Sequence, residues 1–299
     1  MSVLERGAAR ATAATPPWSL AVAAMLMIQL GSALSAGLLI PDLGAAGTAW
    51  LRLTLGAIIL VAIARPPLRE IRRSDVLPLL GLGVATGLMT VFFLAALARI
   101  PLGVAVAIEF LGPLAVAAFR RPSARALAWP ALALVGVVLM TEPWRGTIDP
   151  LGVLFAALAG TGWALYILLT QKVGDRFTGI RALSITIPIA AITAAVIGVP
   201  QAIGALTIQH VLIGVGLALL VPVLPFALEM VALRRMTMTA FGTLMAVEPA
   251  IGLVIGMLVL AQAPGPLQVA GITLVVTAGA LAQRGGLRDT PVVDPAKPA

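Results

Sequence analysis

Four ionisable side chains stand inside apolar runs of the chain, where water would not reach them: Arg52, Glu109, Glu229 and Glu248. A charge at the centre of a bilayer costs about 2.5–3.5 kcal/mol on insertion scales, so each is a candidate for binding a solute, a proton or a counter-ion. At about 1.5 Å rise per residue, Arg52 and Glu109 each lie about 10 Å below the outer boundary, a matching depth that predicts a charge pair or coupling pair. Glu248 lies about 14 Å above the inner boundary, near the midplane. Glu229 falls close to the inner end of its run beside Arg234 and Arg235, where a carboxylate can snorkel to water. Pro113 and Pro249 predict helix breaks beside two of these carboxylates, because proline frees the carbonyl four residues earlier, here those of Glu109 and Met245. Trp163 sits about 18 Å from the outer boundary and Gln29 about 16 Å from the inner one, so they share the depth of Glu248. Tyr166, the single tyrosine, follows Trp163 one turn on. An indole and a phenol at midplane suit a cavity wall with apolar area and a polar handle; the alternative for Trp163 is simple filling of a helix interface. Gln29, Trp163, Tyr166, Glu248 and Glu109 are thus the expected lining of a substrate cavity.

Other chemistries lack their residues. There is no cysteine, and the single histidine, His210, lies between two apolar runs, where we expect it solvated and idle. No HExxH or Walker A pattern is present, so no metal, cofactor or ATP-driven step is expected, and the chain does not read as an enzyme. The net charge of +8 falls in small clusters between apolar runs, which argues against nucleic acid as a partner and for topology signals in a bilayer.

The elements that must hold these side chains are membrane helices. Hydrophobic residues make up 60% of the chain and charged residues 11%, with mean hydropathy +1.07, far from the balance of a soluble domain. Apolar runs of spanning character occur at 18–39, 46–64, 76–98, 102–119, 127–141, 151–171, 182–200, 211–231, 239–260 and 266–283. The first is too long for the apolar stretch of a cleaved signal and predicts a retained helix. With the N-terminus in the cytoplasm, inner segments hold 17 of the Lys and Arg residues, and outer segments hold two, Arg99 and Arg145. Residues 1–17 and 284–299 are then cytoplasmic tails of a multi-pass protein of the cell (inner) membrane. Trp18, Trp50, Trp129 and Trp144 fall near span ends, as interfacial anchors do.

The chain also resembles itself. Leu97-Ala98-Arg99 and Pro113 match Leu233-Arg234-Arg235 and Pro249 at a shift of 136 residues. Gly31-Ser32-Ala33-Leu34 matches Gly162-Trp163-Ala164-Leu165 at 131, and Leu132, Gly136 and Leu139 match Leu267, Gly271 and Leu274 at 135. The units are residues 18–141 and 151–283. Five spans per unit is an odd number, so the second unit must enter from the opposite side. The expected fold is an all-α membrane protein of ten transmembrane helices in two inverted five-helix repeats. Such repeats characterise secondary transporters, with the substrate site where the repeats meet.

Two stretches resemble a known family: Ala105-Val106-Ala107-Ile108-Glu109-Phe110-Leu111-Gly112-Pro113, and Leu228-Glu229-Met230 continuing through Phe241-Gly242-Thr243 to Glu248-Pro249-Ala250. The chain is similar to the EamA family of the drug/metabolite transporter superfamily, nearest to its threonine, homoserine and broad amino acid exporters. That resemblance implies a ten-helix carrier exporting L-amino acids or related small metabolites, with Glu109, Glu229 and Glu248 matching family glutamates.

The function expected is therefore secondary export by alternating access, with a small-molecule substrate and protons as a candidate coupling partner through Glu109 or Glu248. Facilitated diffusion fits the same residues. The alternative carrier reading is a drug or other metabolite of the same superfamily; an intramembrane enzyme or a channel lacks its catalytic set or its filter.

Overall fold

Backbone N–H and C=O groups in hydrocarbon must be satisfied within their own segment, and the apolar runs meet that demand as helices. The computed structural model describes residues 16–284 except 65, 67, 121–123, 147, 174–179, 237–240 and 242–243, and the described chain is helical without strands. The tails up to residue 15 and from 285, Arg65, Arg121 and Arg176 of the charge count, and Gly242 and Thr243 of the second motif lie outside the described residues.

The helices are α1 (Pro17–Leu38), α2 (Ile40–Ala64), α3 (Arg73–Leu97), α4 (Leu102–Glu109), α5 (Leu111–Arg120), α6 (Ala124–Thr141), α7 (Pro150–Val173), α8 (Ile180–Ala202), α9 (Ile208–Ala218), α10 (Leu224–Arg235), α11 (Glu248–Leu260) and α12 (Pro266–Arg284). Among the described residues, six spans are long and apolar enough to cross a membrane on their own, and four shorter apolar runs cover 102–116, 127–141, 248–260 and 266–282. The main contacts join α2 to α8, α3 to both α7 and α8, α6 to α12, α1 to both α10 and α11, and α4 to α11. Outward-facing Ile58, Ile63, Leu77, Ile192, Val196 and Leu258 leave an apolar surface suited to lipid tails.

Helix α2 and the 211–231 and 102–119 runs are interrupted, each with a local cause. Gly44 takes φ +68°, which separates residues 40–43 from the rest of α2. The N–H groups of Ala46 and Gly47, orphaned by that break, donate to the Gln201 side-chain carbonyl at 2.9 and 3.0 Å. The 211–231 run, which reads as one helix, is instead broken at Val221 (φ −157°, ψ 112°) before Pro222. A methyl on Gly31 would lie 2.8 Å from Val221 Cγ2 and one on Gly56 2.9 Å from Pro222 Cδ, so the break is received by notches in α1 and α2. The 102–119 run divides at Phe110, between α4 and α5.

The tryptophans near the span ends differ in exposure, and Trp50 packs inward. It is half-buried and packs against two core clusters, while Trp18 and Trp144 are exposed at helix ends. On α8, Gly198 leaves room for the Trp50 Cβ position.

Candidate functional site

Pro249 is the second residue of α11 and Glu248 the first, so the missing proline N–H falls where a helix needs none. The Glu248 carboxylate stands at that helix N-terminus, where aligned peptide dipoles favour negative charge. From α1, Gln29 Nε2 donates to Glu248 Oε1 at 3.1 Å. Both side chains are buried, Gln29 1% and Glu248 4% exposed. The Gln29 carbonyl oxygen, Oε1, and the second Glu248 oxygen, Oε2, have no hydrogen-bond partner. Two adjacent acceptors are left waiting for a donor, a costly arrangement in a buried place. Gly252, one turn from Glu248 on α11, keeps the space beside Gln29 Oε1 open, since a methyl there would lie 3.5 Å from that oxygen.

Glu109 ends α4, and it and Glu229 on α10 both lie within electrostatic reach of Glu248. Tyr166 lies within the same reach of Glu229. Glu109 is brought there by a tight crossing: a methyl on Gly160 of α7 would lie 2.7 Å from the Glu109 carbonyl oxygen. That carbonyl is the one Pro113 leaves without its helical donor, and it faces α7. Phe110, in the break itself, meets Trp163 edge-on with ring centroids 6.1 Å apart. Trp163 and Tyr166 are both half-buried. An apolar groove of about 270 Å³ between α1 and α11, lined by Leu26, Val247, Ala250, Ile251, Val254 and Ile255, contains none of the expected polar residues. Gln29 and Glu248 are enclosed in the bundle interior instead.

Arg52 does not pair with Glu109. Its Nη1 donates to Ser35 Oγ at 2.9 Å, and no carboxylate of a described residue lies within ion-pair distance. Matching depth placed the two residues on one level, but depth carries no information about azimuth. Arg52 faces α1, whereas Glu109 faces α7 and Glu248.

His210 also departs from expectation. It is buried, at 9% exposed, with Nδ1 accepting from the Thr207 N–H at 3.2 Å and Nε2 3.1 Å from Asp42 Oδ2. Its partner is 168 residues away in sequence, which is why the local pattern suggested an idle loop residue. Further contacts join the same ends of the helices: Leu102 N donates to Gln262 Oε1 at 3.1 Å, and Arg99 pairs with Asp149 at 2.9 Å. Sequence reasoning passed over Ser35, Asp42, Gln201 and Gln262, whose only signal was a polar residue near the end of an apolar run.

Known proteins share this arrangement of sequence. Residues 150–282 match the EamA-like transporter family. The threonine/homoserine exporter RhtA of Escherichia coli (strain K12) is 37% identical over 265 residues, 88% of this chain and 89% of that protein. The chain belongs to the EamA-like transporter family. RhtA of Salmonella typhimurium (strain LT2) is 38% identical over 258 residues, 85% of this chain and 87% of that protein. A solved crystal structure at 19% identity superposes with a TM-score of 0.57, covering 90% of this chain and 99% of its own, a likeness of fold alone. Membership explains why the two breaks beside buried glutamates belong to a multi-pass membrane protein: EamA-like chains are transporters, and a transporter needs polar groups held inside the bilayer.

Proposed function

We propose that this protein is a secondary exporter of amino acids or related small metabolites, working without ATP by alternating access around the Gln29–Glu248 pair. The observation that carries the reading is that pair: two buried neighbouring acceptors without donors, in a chain of the EamA-like transporter family. A primary ammonium brings three N–H donors and a positive charge, which is what the Gln29 carbonyl and the Glu248 carboxylate lack. The relatives that cover most of the chain are named threonine/homoserine exporters, and their substrates carry such an ammonium.

Alternating access draws support from how the helices meet. The second, fourth and fifth spans of the first half each pack on their counterparts in the second half, α2 on α8, α4 on α11 and α6 on α12. Two further contacts exchange under the same relation, α1 with α10 and α7 with α3. That is the pattern expected of two inverted five-helix repeats, residues 18–141 and 151–283, related by a two-fold axis in the membrane plane. In this reading the tails are cytoplasmic, and the contacts of Gln201, His210, Gln262 and Arg99 close the outer side.

The test is transport in proteoliposomes with a panel of labelled amino acids, with and without a pH gradient. Counterflow of threonine or homoserine that falls in Glu248→Gln and Trp163→Ala, at wild-type protein levels, is the expected outcome. Stimulation by the gradient that disappears in Glu248→Gln alone assigns proton coupling to that carboxylate. Uptake of unrelated organic solutes with no amino acid among them would refute the substrate class.

A further inference from the structure

Among the described side chains Arg52 is the one buried lysine or arginine, 4% exposed. A guanidinium presents five N–H donors on a rigid plane. One of them, on Nη1, reaches Ser35 Oγ, and the Ser35 hydroxyl passes its own hydrogen to the Gly31 carbonyl at 2.6 Å. Buried Nε has no partner. Nε and Nη2 together form the guanidinium edge whose spacing matches the two oxygens of a carboxylate. The surroundings of Arg52 therefore hold a positive charge and an unused donor edge with no carboxylate of a described residue in ion-pair reach, the complement of the acceptors left open at Gln29 and Glu248.

We infer that the open edge of Arg52, braced by Ser35, binds the carboxylate of the exported solute at a second station on the outer side of the Gln29–Glu248 pair. This rests on the amino-acid export reading above. α1 carries both stations: Ser35 is six residues beyond Gln29, about 9 Å further toward the outer end. The turn of the helix points Gln29 at α11 and Ser35 at α2. The separation exceeds the distance between the amino and carboxyl groups of an α-amino acid, so the stations are used in succession. The ammonium is recognised at midplane, and the carboxylate on the outward leg. The Gln201 bonds to Ala46 and Gly47 lie outward of Arg52 on α2, so release from this station requires those contacts to part.

The rival role for Arg52 is a brace between α1 and α2, and carboxylate preference separates the two. In proteoliposomes, transport of labelled homoserine is challenged with unlabelled homoserine, its amide and its decarboxylated amine. Wild type is expected to prefer the acid over the amine by about tenfold or more, the range of hydrogen bonds to charged groups. Arg52→Gln should lose most of that preference, by weakening the acid about 10–100-fold while leaving the amine nearly unchanged. Arg52→Lys, which keeps the charge but not the fork, should fall between them. Equal loss for acid and amine in Arg52→Gln, or an unchanged ratio, overturns the inference. If Arg52→Gln does not insert, the ratios in wild type and Arg52→Lys decide: no carboxylate preference in wild type, or the same preference in both, overturns it. A wild type that moves no amino acid overturns the export reading and this inference with it; a wild type that does, with its ratio preserved in Arg52→Gln, overturns this inference alone.

Discussion

Replacing Gln29 with leucine removes the side-chain donor of Glu248 while keeping a side chain of similar volume. Water cannot substitute for it, because Gln29 is 1% and Glu248 4% exposed. A hydrogen bond to a charged group contributes about 1.5–3 kcal/mol, whereas ordinary side-chain pairs inside membrane proteins average about 0.6 kcal/mol. The cycle of Gln29→Leu, Glu248→Leu and the double variant isolates the pair, since each single change removes the same bond. If the bond is made by a charged Glu248 at the helix N-terminus, the coupling reaches about 1.5–3 kcal/mol, or about 10–100-fold in the unfolding constant. Glu248→Gln in place of Glu248→Leu should lower the coupling to about 0.6 kcal/mol, because the bond persists without its charge. The assay is reversible unfolding in mixed micelles, followed by the fluorescence of the five tryptophans. Coupling below about 0.3 kcal/mol, the ordinary error of additivity, would refute the bond and the site built on it.

Gly160→Ala places a methyl 2.7 Å from the Glu109 carbonyl oxygen and 3.2 Å from its Cα, both backbone atoms that cannot rotate away. It should cost about 1–3 kcal/mol in the same unfolding assay and reduce transport, by pushing α7 from the Phe110 break. Asp149 sits outside the spans, where the Leu151 N–H and then the Arg99 guanidinium hold its carboxyl below the ordinary value of 3.8. A depressed carboxyl stabilises the fold above its unfolded pKa, and that contribution is lost as pH falls through the folded one. The difference in melting temperature between wild type and Asp149→Asn should therefore be present near neutrality and vanish on strong acidification. Reporter fusions after Arg72, Arg121 and Ala299 should all read cytoplasm, and an external signal at Ala299 would overturn the orientation.

Composition and the spacing of apolar runs were enough to determine a helical membrane protein, because a bilayer admits few backbone solutions and about 20 apolar residues span it. Pro113 and Pro249 likewise announced the breaks beside Glu109 and Glu248, since a missing N–H acts locally wherever the chain goes. The break at Val221 and Pro222 was harder to read. Proline is tolerated in many membrane helices, and here the deciding partners are Gly31 and Gly56 on two other helices.

The sequence also indicated which polar residues stand inside apolar runs, and Gln29, Arg52, Glu109 and Glu248 are buried in the bundle. Tertiary structure decided which of them meet. Gln29 reaches Glu248 across 219 positions and His210 reaches Asp42 across 168, through helix azimuths that no run of apolar residues encodes. Arg52 and Glu109 show the same limit from the other side: equal in depth, they turn to different neighbours, and the guanidinium meets Ser35. Packing fixes azimuth through notches such as Gly112 against Gly160, where two backbones touch. Those contacts exist only once all the helices have assembled, so the open donor edge of Arg52 and the open acceptors of Gln29 and Glu248 are properties of the bundle and not of any one helix.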